Sequence, residues 1–253
     1  MSREADADRS TILRQSQIGL ALCATIISGW AALHVYAVFL YDWGQHSYAT
    51  APALSMLICW LYVGLFIIAH DCMHGSLVPW RPAWNSAIGR LCLTLYAGFD
   101  FDQLNRKHHL HHRHSGTADD PDFDATPPHG LWHWYINFIR EYFSWRELVF
   151  LTVITGVYVF VLEVRYLNLL VFWALPAMLS SFQLFYFGTY LPHRPRAQPF
   201  VDRHRARDID FGWLQSLLTC FHFGYHHDHH LAPKEPWWRL PRVRTSRLES
   251  DQA

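Results

Sequence analysis

Phe221-His222-Phe223-Gly224-Tyr225-His226-His227-Asp228-His229-His230-Leu231-Ala232-Pro233 is the stretch around which the remaining chain is organised. On a helix, His226, His229 and His230 stand at i, i+3 and i+4 and share one face. The same spacing recurs at His108, His111 and His112, and His70-Asp71-Cys72-Met73-His74 sets two imidazoles one helical turn apart. Neutral imidazole is the commonest metal-ligating side chain and suits zinc, copper, iron and nickel. Three clusters at ligand spacing predict a metal site. His193, at the end of an apolar run, is a further candidate. The expected ligands are therefore His70, His74, His108, His111, His112, His193, His226, His229 and His230. This set exceeds the three or four protein ligands of a single zinc, so two ions are expected. Asp71 stands where an HExxH motif carries its glutamate, which disfavours zinc hydrolysis. Imidazole-rich sites with an open position suit redox-active iron and oxygen chemistry.

Carboxylates often orient ligand rings, and Asp71 and Asp228 lie inside the motifs for that role. His109 and His227 fall about 100° round the helix from the preceding ligand and should point away, as hydrogen-bonded helpers. His222, at i−4 from His226, reads either as a ligand or as a donor supporting one. His114, His129, His133 and His204 read as surface or loop histidines.

Charged residues make up only 17% of the chain against about 25% in soluble domains, and aromatics reach 16%. Twenty-one basic and 21 acidic residues cancel, which disfavours a nucleic-acid partner. The five cysteines form no CxxC pair and read as small buried residues. Residues 1–14 are polar, lack the order of a signal peptide, and are expected to be disordered or surface-lying. A membrane helix needs about 20 apolar residues, and four runs qualify or nearly so: 18–41, 51–69, 148–164 and 167–191. His34, inside the first, is expected to face a neighbouring helix. Residues 84–101 carry Arg90 and read as interfacial or re-entrant. With four spans, 20 of the 21 Lys and Arg fall on one side. The positive-inside rule then makes both termini and every histidine cluster cytoplasmic. The expected fold is an all-α integral membrane protein forming a single domain over 1–253. Its four transmembrane helices make two hairpins, and a cytoplasmic helical cap holds the histidine-rich site.

The three boxes, ordered around two hairpins, resemble the integral-membrane fatty acid desaturase and hydroxylase superfamily. His70-Asp71-Cys72-Met73-His74-Gly75, the stretch from Arg106 to Phe123 with its Asp-Pro-Asp-Phe ending, and Tyr225 to Pro241 with Pro236-Trp237-Trp238-Arg239-Leu240-Pro241 resemble bacterial β-carotene ketolases. The resemblance implies two irons on the nine histidines and molecular oxygen as co-substrate. It also implies a reduced ferredoxin-type electron donor, surrounding membrane lipid and a bacterial inner-membrane location. The implied substrate is a carotenoid whose β-ionone C4 methylene becomes a ketone through two hydroxylations and loss of water. Bare and 3-hydroxylated rings are both open, giving echinenone and canthaxanthin, or astaxanthin. Thr189 stands four positions before His193, where related desaturases carry an Asn that holds a metal-bound water. The competing readings are an acyl-lipid desaturase or alkane hydroxylase with the same boxes, and a histidine-rich metal transporter. Transporters place polar ligands near mid-membrane, whereas these clusters begin where the apolar runs stop.

Overall fold

The computed structural model describes residues 2–250. Met1, from the polar leading segment, and residues 251–253 of the basic tail lie outside the described residues. The described residues form helices and loops, with no strand among them.

Helix α1 (Ser2–Val35) continues into a π-helical turn, Tyr36–Leu40. Of the two expectations for the polar leading segment, disordered or surface-lying, the second holds: it is helical from Ser2 onward, and residues 9–14 lie mostly at the surface. Gln15 fastens the segment's end by donating to the Ser76 carbonyl (2.7 Å) and accepting from Arg239 (2.9 Å). The His34 ring stacks on Trp30 and meets the Tyr158 hydroxyl at 3.0 Å, facing the neighbouring helix as its sequence context predicts. Helix α2 (Ser47–Met73) is the hub, with α1, α3 (Pro82–Ala97) and α8 (Leu175–Phe185) packed on it. Its apolar run carries no charge, so it can be covered on all sides, and Leu61–Leu65 and Ile67–Met73 are buried.

Three helices are long and apolar enough to cross a membrane: Arg9–Leu40, Ser47–Met73 and Tyr166–His193. A fourth candidate is a broken one. Helix α5 (Leu131–Tyr142) and the helix Trp145–Val161, which is α6 (Trp145–Gly156) plus a π-helical turn, meet at 81°. The break has a local cause, because Ser144 and Glu147 form a reciprocal capping box that starts a new helix. The 16 residues of α3 span about 24 Å at 1.5 Å each, short of a hydrocarbon core of about 30 Å. Arg90 on α3 is exposed and pairs with Asp102 at 3.0 Å. All five cysteines are free and buried.

Helix α4 (Phe101–His114) starts where the Asp100 carboxylate caps the Gln103 amide at 2.9 Å. The long helix after Arg165 is built from α7 (Tyr166–Leu169), a π-helical turn (Leu170–Ala174), α8, a second π-helical turn (Tyr186–Tyr190) and α9 (Leu191–His193). Helices α10 (Trp213–Cys220), α11 (His226–Leu231) and α12 (Leu240–Ser250) follow.

Candidate metal centre

Four elements deliver the nine candidate histidines. His70 lies in the last turn of α2 and His74 at its C-cap, while α4 carries His108, His111 and His112. His193 ends α9, and α11 carries His226, His229 and His230. The approach to α11 is sharp. Phe221 and His222 both adopt left-handed φ values, 49° and 63°, which turn the chain back after α10. Such values are uncommon for residues other than glycine.

The nine rings sort into two groups. His70, His74, His108, His112 and His229 each offer a ring nitrogen to one volume, with all five within 4.8 Å of one another. His111, His193, His226 and His230 do the same beside it. In the first group Nε2 of His108 lies 2.7 Å from that of His74 and 3.1 Å from that of His112, which lies 3.0 Å from that of His229. In the second, Nε2 of His230 is 3.1 Å from those of both His111 and His226. A neutral imidazole has one N–H, so converging nitrogens cannot all be paired with one another. Both ring nitrogens of His70 and Nε2 of His193 are buried without a hydrogen-bond partner. Buried lone pairs without a donor are costly, and a cation removes that cost. Nitrogens bound at right angles to one ion at about 2.1 Å stand about 3 Å apart, which matches the spacings seen. The donor set fits iron, which imidazole suits.

Burial pushes the pKa values of His108, His226, His229 and His230 well down, helped by the neighbouring rings, and His74 falls to about 3 for the same reasons. These rings are held neutral, the form that binds metal. His111 is the exception. Burial disfavours its charge, but Asp122 and Asp120 outweigh that and raise its pKa. Asp120 accepts from His111 Nδ1 at 2.9 Å and from the Gly116 and Asp122 amides at 2.8 and 2.9 Å. Asp122 lies 3.6 Å from the same ring nitrogen and accepts from the Tyr142 hydroxyl. The Arg205 carbonyl takes Nδ1–H of His193 at 2.8 Å, which leaves its Nε2 free to face the group. Outer partners of this kind fix tautomer and ring direction.

An apolar slot runs up to both groups, touching His70 and His108 of one and His111 and His226 of the other. Phe66, Phe99, Phe138, Phe143 and Phe223 supply aromatic walls. The Tyr96 hydroxyl on this wall is paired with Ser180 at 2.8 Å. A Cβ on Gly188 would meet the Phe223 ring at 2.6 Å, so this wall tolerates no side chain there.

The carboxylates named from the motifs behave differently from expectation. Asp228 is fully buried but orients no ring. Its oxygens receive Arg247 (2.5 Å), and its amide donates to Asp208 (3.1 Å), a network that fastens α11 to α12. The physical reason is charge, since a buried carboxylate takes a guanidinium within reach before a neutral ring. Asp71 lies 3.8 Å from His70 Nδ1, beyond hydrogen-bond range, and accepts from the Trp237 amide at 3.3 Å. The ring-orienting acid is instead Asp120, with Asp122 beside it. The signal for it was the Asp-Pro-Asp-Phe stretch, which turn chemistry alone reads as a loop. Thr189 is buried and lines the slot. His222 belongs to neither group and packs between Trp213, Tyr225 and Trp237. His109 stands 5.7 Å from His74 without joining a group, and His227 bonds Asp202 at 2.8 Å.

A model of the fatty acid desaturase family matches residues 45–154 and 139–251. A β-carotene ketolase of a Paracoccus strain is 53% identical over 89% of this chain and 92% of its own length. That of Paracoccus sp. strain PC1 is 51% identical over 90% and 92%. A β-carotene ketolase of Haematococcus lacustris is 37% identical over 89% of this chain and 78% of its own. With its two groups of converging histidines, the chain belongs to the fatty acid desaturase family, within its β-carotene ketolase group.

Proposed function

We propose that this chain is a membrane-embedded di-iron oxygenase that converts the C4 methylene of carotenoid β-ionone rings to a ketone. The observation that carries the reading is an apolar, aromatic-walled slot that touches both histidine groups at once. The relatives named above are ketolases over nearly the whole chain, which supports it. His70, His74, His108, His112 and His229 would hold one iron, and His111, His193, His226 and His230 the other. Bound there, the irons would supply oxygen activation for two successive hydroxylations at C4, after which the geminal diol loses water to give the ketone.

The chain's own residues bind, orient and exclude water. The phenylalanines of the slot take up the apolar ring and polyene and keep bulk water from the histidines. Tyr96 spends its hydroxyl on Ser180, so the wall presents ring rather than an open donor. Asp120 and the Arg205 carbonyl each hold a Nδ1 proton, on His111 and His193, and so aim the opposite nitrogens. Asp122, pushed up to about 6 by burial, borders the slot beside them. Thr189 puts a hydroxyl on the wall, and we assign it the positioning of a polar group near the reacting carbon. Four spans, with both termini and the site on the cytoplasmic side of the inner membrane, complete the reading.

Expression in a bacterium that accumulates β-carotene tests it. The extract should contain the 4-keto and then the 4,4′-diketo pigment, each ketone adding one oxygen and removing two hydrogens by mass. Unchanged pigments together with newly unsaturated membrane fatty acids would replace this reading with an acyl-lipid desaturase.

A further inference from the structure

Each hydroxylation in the proposed reaction needs electrons from outside. Its balance is R₂CH₂ + O₂ + 2 e⁻ + 2 H⁺ → R₂CHOH + H₂O. The C–H bond supplies two of the four electrons that dioxygen takes up, and a reduced one-electron carrier supplies the other two, one per molecule oxidised. Two electrons must therefore cross from the surface to the histidine groups.

One surface turn touches the second group directly. The carbonyl of Arg205 accepts from His193 (2.8 Å), and the ring of His204 lies 5.8 Å from that of His230. The turn is pinned in place. Asp202 accepts from His227 and from the His204 amide, both at 2.8 Å, and Arg205 donates to the Gly116 carbonyl at 2.8 Å. Arg205 holds a left-handed φ of 44°, and at that φ its carbonyl reaches the His193 ring. The outer side is basic. Residues 194–207 contain five arginines (Arg194, Arg196, Arg203, Arg205 and Arg207) and one acid, Asp202, which His227 already occupies. Arg196, Arg203 and Arg205 are exposed.

We propose that this turn and its arginines are the docking surface for an acidic electron-carrier protein, and that electrons enter through the Arg205–His193 hydrogen bond and the His204–His230 ring contact. The inference rests on the oxygenase reading above. Clustered exposed arginines attract and steer an acidic partner. Anionic lipid headgroups would satisfy the same charge, but they give no reason for the turn to be bonded to a ring of the metal group.

The test uses the full chain in neutral phosphatidylcholine vesicles, with an acidic [2Fe–2S] ferredoxin as probe. Wild-type protein should bind it with an affinity that falls as salt rises. Arg196→Glu with Arg203→Glu should weaken binding at least tenfold at low salt and raise the KM for ferredoxin, with iron content unchanged. The milder Arg196→Gln with Arg203→Gln should lie between the two, which guards against misfolding. Charge reversal at exposed Arg9 and Arg14 should leave binding as it was. An unchanged affinity in the first variant, or an equal loss in the Arg9/Arg14 variant, overturns the proposal. So does a first variant that loses only its retention of anionic phospholipid. Binding is also measured on metal-free protein, so a chain that oxidises no carotenoid would refute the function without deciding the docking surface.

Discussion

Replacing Asp120 by asparagine keeps the shape of the side chain and removes its charge. In the structure one oxygen of Asp120 faces His111 Nδ1 and the Asp122 amide, both at 2.9 Å. The other faces the same ring nitrogen at 3.1 Å and the Gly116 amide at 2.8 Å. A carboxylate accepts at both oxygens, whereas an amide donates at one end. Whichever way the introduced side-chain amide is turned, its NH₂ meets a backbone N–H. The variant therefore loses a charge-assisted acceptor in a buried place, a loss of about 1.5–3 kcal/mol. At about 1.4 kcal/mol per decade this is roughly a tenfold to hundredfold weakening of iron binding, the range usual for outer partners of ligand histidines. Anaerobic titration of metal-free protein with ferrous iron against a competing chelator measures it. The weakening should fall on one of the two irons, and Asp119→Asn, on an exposed neighbour, should change neither. If Asp120→Asn binds both irons as tightly as the wild type, a carboxylate is not what holds His111.

Four further outcomes are expected. Gly188→Ala forces a Cβ to within 2.6 Å of Phe223, whose ring lies 4.7 Å from His70 and 4.9 Å from His226. Overpacking should cost about 1–3 kcal/mol and lower pigment turnover, whereas Gly156→Ala, with open space around it, should not; equal melting temperatures would refute the packing argument. His111→Ala should lose iron while His109→Ala keeps it, and a His109→Ala protein as metal-poor as His111→Ala would show that the wrong helix face was chosen. In metal-free protein, folded His74, His108, His226, His229 and His230 have lowered pKa values. The unfolded chain, with histidines near pKa 6.5, then binds more protons below that pH, so stability should fall as pH drops. The slope is at most about 1.4 kcal/mol per pH unit per ring, and a flat melting temperature from about pH 7.5 to 5.5 would contradict it. A reporter active only outside the cytoplasm should respond when fused at Gln45 and stay silent at Gly116, and activity at Gly116 would overturn the four-span topology.

The ligand candidates were legible because a helix repeats every 3.6 residues and imidazole has a narrow chemistry. Their division between two groups was not. His108 and His112 join one group while His111, between them, joins the other, and only the packing of α4 against α2, α9 and α11 decides that. Asp120 was hidden because a turn nine residues downstream curls back on His111. Asp228 looked like a ring partner because Arg247 lies 19 residues further on, beyond any local pattern. Composition left the polar leading segment either disordered or surface-lying, because it cannot show that the neighbouring Gln15 meets Ser76 and Arg239 across the fold. The bend before α6 was legible in principle, since Ser144-x-x-Glu147 is a helix-start signature.

Helices α4 and α11 each straddle both histidine groups: α4 gives His108 and His112 to one and His111 to the other, and α11 gives His229 to one and His226 and His230 to the other. Neither helix can take up its position for one ion without also presenting rings to the second. α11, at six residues, is too short to hold its shape alone, so the first ion would meet most of the ordering cost for both. Loading should then be positively cooperative, with half-filled protein scarce at every iron concentration. The di-iron oxygenase proposed above would gain from this, because a chain holding a single iron would consume donor electrons without completing the reaction.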